Sequence, residues 1–95
     1  MTPQKILPRI AVVGSGYMGG GMAQVFVLAG YPCVIADAGP QIALASHARL
    51  VEEAREFEAD GLFDAGSADV IAARLECADS IEEAEASADY IAEVV

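Results

Sequence analysis

Three glycines and one carboxylate carry the strongest chemical signal in this 95-residue chain. Gly14, Gly16 and Gly19 are spaced G-x-G-x-x-G in the segment GSGYMG, directly after the apolar run IAVVG and before a stretch of helical periodicity. In that setting each glycine has its own task. Gly14 allows a tight turn, Gly16 lets a ligand approach the backbone with no Cβ in the way, and Gly19 lets a helix pack closely on a strand. The unpaired N–H groups at the start of that helix, from Gly16 to Gly19, lie at the positive end of its dipole and suit the oxygens of a pyrophosphate. Ser15, Tyr17 and Met18 belong to the same loop and are expected to border the bound group. Asp37, 18 residues beyond Gly19, ends the next apolar run, where a carboxylate accepts hydrogen bonds from ribose hydroxyls.

Taken singly, a glycine-rich turn and a carboxylate at a helix entrance are both commonplace. Together in one strand–helix–strand unit they point to a dinucleotide. NAD is favoured over NADP, because Asp37 would repel a 2′-phosphate and the following Ala38, Gly39, Pro40 and Gln41 offer no basic side chain to hold it. A fold that binds S-adenosylmethionine also joins a glycine-rich first turn to an acid after the second strand. Gly19 and the immediate helix favour a pyrophosphate instead.

Other polar residues read as structure. His47, the one histidine, lies on an apolar stripe with no nucleophile or acid assigned to it. The adjacent pairs Glu52–Glu53 and Glu82–Glu83 diverge by about 100° on a helix and read as solvated faces. Cys33 and Cys77 sit in or beside apolar runs without a C-x-x-C or Cys/His ligand pattern, and are expected to be reduced core residues. No catalytic residue and no metal ligand is assigned.

The elements that must position the loop follow from periodicity. IAVVG, Ile10 to Gly14, and CVIAD, Cys33 to Asp37, are continuous apolar, β-branched runs of the kind buried on both faces of a parallel sheet. Between them a helix is expected from Tyr17 to Ala29, with Met18, Met22, Val25, Phe26 and Ala29 as its apolar residues, Met18 and Met22 packed on the sheet, and Gly30 as a left-handed cap. From Pro40 to Asp60 an amphipathic helix places His47, Leu50, Ala54 and Phe57 on one stripe, with Arg49, Glu52, Glu53 and Glu56 facing away, and ends at Gly61. A shorter helix is expected from Ser67, as N-cap, to Arg74, with Val70, Ile71 and Leu75 facing inward. Leu75 to Ala78 suits a short strand, Ser80 and Glu83 have the spacing of a capping box, and YIAEVV, Tyr90 to Val95, reads as a last strand.

Composition sets the outer bounds. Fifteen Asp and Glu against five Lys and Arg give a formal net charge of −10, which disfavours nucleic acid and anionic membranes as partners. There is no apolar run long enough to span a bilayer, and the opening MTPQKILPR lacks the features of a secretory signal, so a soluble cytoplasmic protein is expected. At 55% hydrophobic residues the chain is rich in apolar surface for its size, and it is shorter than a complete six-stranded dinucleotide-binding fold. It therefore reads as the first four strands of an α/β, Rossmann-type parallel sheet with helices on both faces and a helical excursion after the second strand. The rest of the cofactor domain and a helical C-terminal domain would lie outside it.

The segment IAVVGSGYMGGGMAQVFVLAGYPCVIADA resembles the N-terminal NAD-binding domain of 3-hydroxyacyl-CoA dehydrogenases, with its G-x-G-x-M-G-x-G-I-A-Q fingerprint and an acid closing the second strand. Gly14, Gly16, Met18, Gly19, Gly21, Ala23, Gln24 and Asp37 match, and Met22 replaces the usual isoleucine. The helical excursion and the closing ADYIAEVV follow the same family's pattern, which extends the resemblance over nearly the whole chain. It implies NAD as cofactor, a 3-hydroxyacyl-CoA as substrate of the complete protein, a homodimer, and a catalytic His–Glu pair located beyond Val95. Glu93 corresponds to a family acid whose role is left open. Alternatives are a 3-hydroxyisobutyrate-type or 6-phosphogluconate-type dehydrogenase, against which the long excursion argues, and a non-catalytic NAD-binding or assembly module.

Overall fold

The computed structural model describes residues 7–94; the leading MTPQKI and the closing Val95 lie outside the described residues. The order of elements is β1 (Ile10–Val13), α1 (Tyr17–Leu28), β2 (Cys33–Ala36), α2 (Pro40–Ala59), α3 (Ser67–Arg74), β3 (Leu75–Cys77), α4 (Ile81–Ser87) and β4 (Tyr90–Glu93). The four strands form one parallel sheet in the order β3-β2-β1-β4. β1 is central because its four residues, like those of β2, are apolar on both sides, and a helix covers each face.

Alternation along the strands divides the interior into two layers. Ile10, Val12, Cys33 and Ile35 point to the face covered by α1, α2 and α3, where they meet Ala23, Val27, Leu50, Ala54 and Ile71. Ala11, Val34 and Ala36 point to the other face and pack on Ala84 of α4. Ile35, Leu50 and Ile71 are fully buried, and each such side chain contributes about 1.5–3 kcal/mol of transfer free energy. The excursion after β2 is thus the larger half of the core.

Register positions the site. Val13 pairs with Ala36 of β2 and with Glu93 of β4, so the residues that follow, Gly14, Asp37 and Val94, emerge side by side at one edge of the sheet. Ladder bonds from Gly14 N to the Ala36 carbonyl (2.9 Å) and from Val94 N to the Val13 carbonyl (2.9 Å) carry the pairing to that edge.

Several expectations need correcting. Met18 and Val25 are exposed, and Met22 is half-buried; the buried face of α1 is Gly19, Gly20, Ala23, Gln24 and Val27. Small residues win there because Gly20 lies against Leu50, whose Cδ2 would be 2.7 Å from a Cβ at that position, so α1 and α2 approach too closely for a large side chain. On α2 the buried stripe is Ala43, Ser46, Leu50 and Ala54, with His47 and Phe57 half-buried at its flanks. The N-cap of α3 is Gly66, in left-handed backbone, while the Ser67 hydroxyl donates back to the Asp64 carbonyl. Val70 is on the outer side of that helix; Ala68 and Ile71 face in. The strands end one residue or more before the sequence pattern suggests, since the residues after Val13 and Ala36 turn into the site. Gly30 and Gly61 end α1 and α2 in left-handed backbone as expected, and Ser80 accepts from Glu83 N at 3.1 Å to cap α4. Cys33 is buried and Cys77 half-buried, both as free thiols. Among the described residues no helix is long and apolar enough to cross a membrane.

Candidate functional site

The glycine loop lies between the end of β1 and the start of α1, and its conformation follows from what surrounds each glycine. Gly14 has φ +96°, which disfavours any other residue, and a Cβ there would collide with the Val94 carbonyl oxygen. A Cβ on Gly19 would strike the Gly14 carbonyl oxygen, so α1 can begin this close to β1 only with glycine. Gly16 differs: nothing lies within 4 Å of its missing Cβ, and its backbone is exposed toward open space. The first two glycines are required by the fold, whereas Gly16 is unexplained by packing and is free to admit a ligand.

The amino end of α1 is also open. Gly16 is the N-cap residue, no side chain caps the helix, and the first turn holds no acidic residue. Its leading N–H groups therefore have neither an intrahelical partner nor a neutralising carboxylate, which is the arrangement an anion fits.

Asp37 stands beside this opening and is fixed by three donors. Its Oδ2 accepts from the Ser15 amide (2.8 Å) and the Ser15 hydroxyl (2.6 Å), and its Oδ1 accepts from the Ala38 amide (2.8 Å). The Ser15 hydroxyl first, then the two amides, hold the Asp37 carboxyl below the ordinary carboxylate range, against a smaller opposing effect of burial. Because the Ser15 hydroxyl donates to Asp37, its contact with Ser46 Oγ (2.8 Å) makes Ser46 the donor there. Ser46, Ser15 and Asp37 thus form one chain of hydrogen bonds running from the buried face of α2 to the cleft.

That cleft, of about 270 Å3, is lined by Ser15, Gly16, Tyr17, Asp37, Ile42, Ser46 and Arg49. Sequence reasoning turned Arg49 toward solvent with the glutamates, but it faces the loop. Its Nη2 donates to the Ser15 carbonyl (2.8 Å), its Nη1 to Glu53 (2.7 Å), and its guanidinium lies 5.3 Å from the centroid of the Tyr17 ring. The spacing of Arg49 and Glu53, four residues apart on a helix, was a sequence signal for the ion pair. No local signal reported the contact with Ser15. Ser46 and Gln24 were likewise missed as structural polar groups: Gln24 Nε2 donates to the Leu50 carbonyl at 2.9 Å and fastens α1 to α2 beneath the loop.

Of the residues expected to border the ligand, Gly14, Ser15, Gly16, Gly19 and Asp37 converge at this edge, and Tyr17 lines the same cleft while mostly exposed. Met18 projects outward at 72% exposure, so only its backbone belongs to the loop. Across the end of β1 a second opening of about 380 Å3 touches Gly14, Asp37, Glu85 and Glu93. There the Glu85 carboxyl is pushed up by desolvation, by a hydrogen bond with Glu93, and by the charges of Glu93 and Glu82. A hollow of about 390 Å3 by Arg9, Tyr31, Pro32 and Glu76 involves none of the loop residues. No group of three or more His, Cys, Asp or Glu capable of holding a metal occurs among the described residues.

The βαβ unit, its open helix terminus, the Cβ-free approach at Gly16 and the carboxylate at the end of β2 define a Rossmann-type dinucleotide-binding unit. Residues 9–95 match the family described as 3-hydroxyacyl-CoA dehydrogenase, NAD binding domain, and the chain belongs to that family, with NAD as its cofactor. No curated protein matches the chain. Among solved structures it is similar to the (S)-3-hydroxybutyryl-CoA dehydrogenase of Ralstonia eutropha (TM-score 0.77, 20% identity, 94% of this chain and 31% of that one). It is also similar to the 3-hydroxybutyryl-CoA dehydrogenase of Escherichia coli (TM-score 0.77, 23% identity, 95% and 19%). A UDP-glucose dehydrogenase from Pyrobaculum islandicum agrees less well in structure (TM-score 0.63, 26% identity, 100% and 21%). The chain therefore spans about a third or less of the length of these proteins.

Proposed function

We propose that this chain supplies the cofactor-holding part of an oxidoreductase acting on the 3-hydroxyl of a 3-hydroxyacyl-CoA. In this reading the amides from Gly16 to Gly19 receive the pyrophosphate, Ser15, Tyr17 and Met18 border it, Gly14 sets the turn, and Asp37 accepts the hydroxyls of the adenosine ribose. NAD, when bound, supplies the hydride acceptor. In the same reading the base that takes the hydroxyl proton, the acyl-CoA pocket and a dimer contact, which the family resemblance implies, are supplied outside the residues of this chain. The family match over residues 9–95 supports the acyl-CoA substrate class.

The observation that carries the reading is the pairing of an uncapped helix terminus with a carboxylate whose position three hydrogen bonds fix. A calorimetric titration of the chain with NADH and NADPH tests it, with circular dichroism to establish folding. NADH is expected to bind more tightly than NADPH, and Asp37→Ala to weaken NADH by about tenfold, the loss of one charge-assisted hydrogen bond or two. A folded chain that binds NADH equally well with and without Asp37 would overturn the assignment.

A further inference from the structure

Asp37 is not the only charged group at the ribose end of the cleft. Arg49 reaches it from α2, and Ser15 holds both: its amide and hydroxyl donate to Asp37 while its carbonyl accepts from Arg49. A guanidinium in this place is the group a 2′-phosphate would seek, so the cleft carries an attraction for NADP as well as a repulsion. Glu53 offsets the attraction. It takes Arg49 Nη1 at 2.7 Å from outside the cleft lining and neutralises the charge, with both side chains about a third exposed. The remaining Nη2 stays on the Ser15 carbonyl, and the Tyr17 ring covers one face of the group.

We propose that Glu53 is a specificity-determining positioning residue that excludes NADP by occupying and neutralising Arg49. The proposal rests on the assignment of Asp37 to the adenosine ribose. With Glu53 in place, Asp37, Arg49 and Glu53 sum to one negative charge at the ribose end; without it the sum is zero. Because Nη2 remains anchored, removing Glu53 frees Nη1 without releasing Arg49 from the wall of the cleft.

The test is the dissociation constant of NADH and of NADPH for the wild-type chain, Glu53→Gln, Glu53→Gln with Arg49→Gln, and Glu52→Gln. Glu52→Gln deletes the same charge from the exposed neighbouring position on α2 without touching Arg49. Glu53→Gln is expected to strengthen NADPH by about five- to tenfold more than it strengthens NADH, the Coulombic effect of one charge on the additional 2′-phosphate in a mostly solvated site. Adding Arg49→Gln should abolish the gain, and Glu52→Gln should show none. An unchanged NADPH-to-NADH ratio in Glu53→Gln, a gain that survives loss of Arg49, or an equal gain in Glu52→Gln overturns the proposal. Asp37→Ala separates the two levels: if it weakens NADH while Glu53→Gln leaves the ratio unchanged, only the role of Glu53 fails. If it leaves NADH unaffected, or if the folded wild-type chain binds no NADH, the ribose assignment fails and this inference with it.

Discussion

Replacing Ser15 by alanine removes one oxygen atom that serves two partners. Ser15 is 1% exposed; its hydroxyl donates to Asp37 at 2.6 Å and accepts from Ser46 at 2.8 Å. Loss of the bond to the carboxylate costs about 1–2 kcal/mol, toward the low end for a charged acceptor because Asp37 is partly solvated. Ser46, 9% exposed and with no other hydrogen-bond partner for its hydroxyl among the described residues, is left buried and unsatisfied, which adds about 1–2 kcal/mol. The expected destabilisation of Ser15→Ala is therefore about 2–4 kcal/mol at neutral pH. Removing both hydroxyls relieves the second part, so Ser15→Ala with Ser46→Ala should be less destabilised than the sum of the two single variants by about 1 kcal/mol or more. pH adds a further constraint. The Asp37 carboxyl is lowered in the folded chain, so its stabilisation is complete above the unfolded value near 4 and is lost as pH falls through the folded one. Urea unfolding at pH 7 and at about pH 3 should show the gap between wild type and Ser15→Ala narrowing in acid. Strictly additive effects, or a gap that does not change with pH, would refute the hydrogen-bond chain from Ser46 to Asp37 as the source of the order at this site.

Two further substitutions separate fold from chemistry. Gly16→Val places its side chain in open space on extended backbone, so the change at the N-cap should cost no more than about 1 kcal/mol of unfolding free energy while NADH affinity drops about tenfold or more; calorimetry and urea unfolding on the same sample decide it. Cys33 is buried and its thiol is pushed up to about 12, chiefly by desolvation, so the folded chain retains a proton that the unfolded chain loses above about pH 9. Unfolding from about pH 8.5 to about 10.5 should therefore show wild type losing stability faster than Cys33→Ala, by up to about 1.4 kcal/mol per pH unit. Parallel pH dependences would overturn that account.

The parts of the site that were legible in the sequence are those whose causes are local. A turn into left-handed backbone, a helix started against a strand and a carboxylate at a strand end each require a particular residue type at a particular place, and Gly14, Gly19 and Asp37 met those requirements. The apolar run of β2 announced its burial in the same way. What misled was α1, whose residues are apolar on both sides. Periodicity selected Met18, Met22 and Val25 as the larger hydrophobes, yet close approach to α2 selects small residues, and glycine carries little weight on a hydrophobic pattern. Arg49 and Ser46 escaped for a different reason. Their partner Ser15 is more than thirty residues away, and a polar side chain on a buried stripe has no meaning until the other element is packed against it.

The pairing of β4 with β1 also governs when the site comes into being. Arg9 and Asp89 clasp the entrances of these strands through the Arg9 amide to Asp89 Oδ2 (2.9 Å) and the Asp89 amide to the Arg9 carbonyl (2.8 Å), and Val94 backs the turn at Gly14. A ribosome extends the chain at about 5–20 residues per second, so Gly14 leaves the tunnel several seconds before its backstop does. During that interval β1 has β2 but not β4 to pair with, and contacts between such distant segments form slowly. The glycine loop is thus made well before the strand that completes its shape, and its final conformation waits on the pairing of β4 with β1.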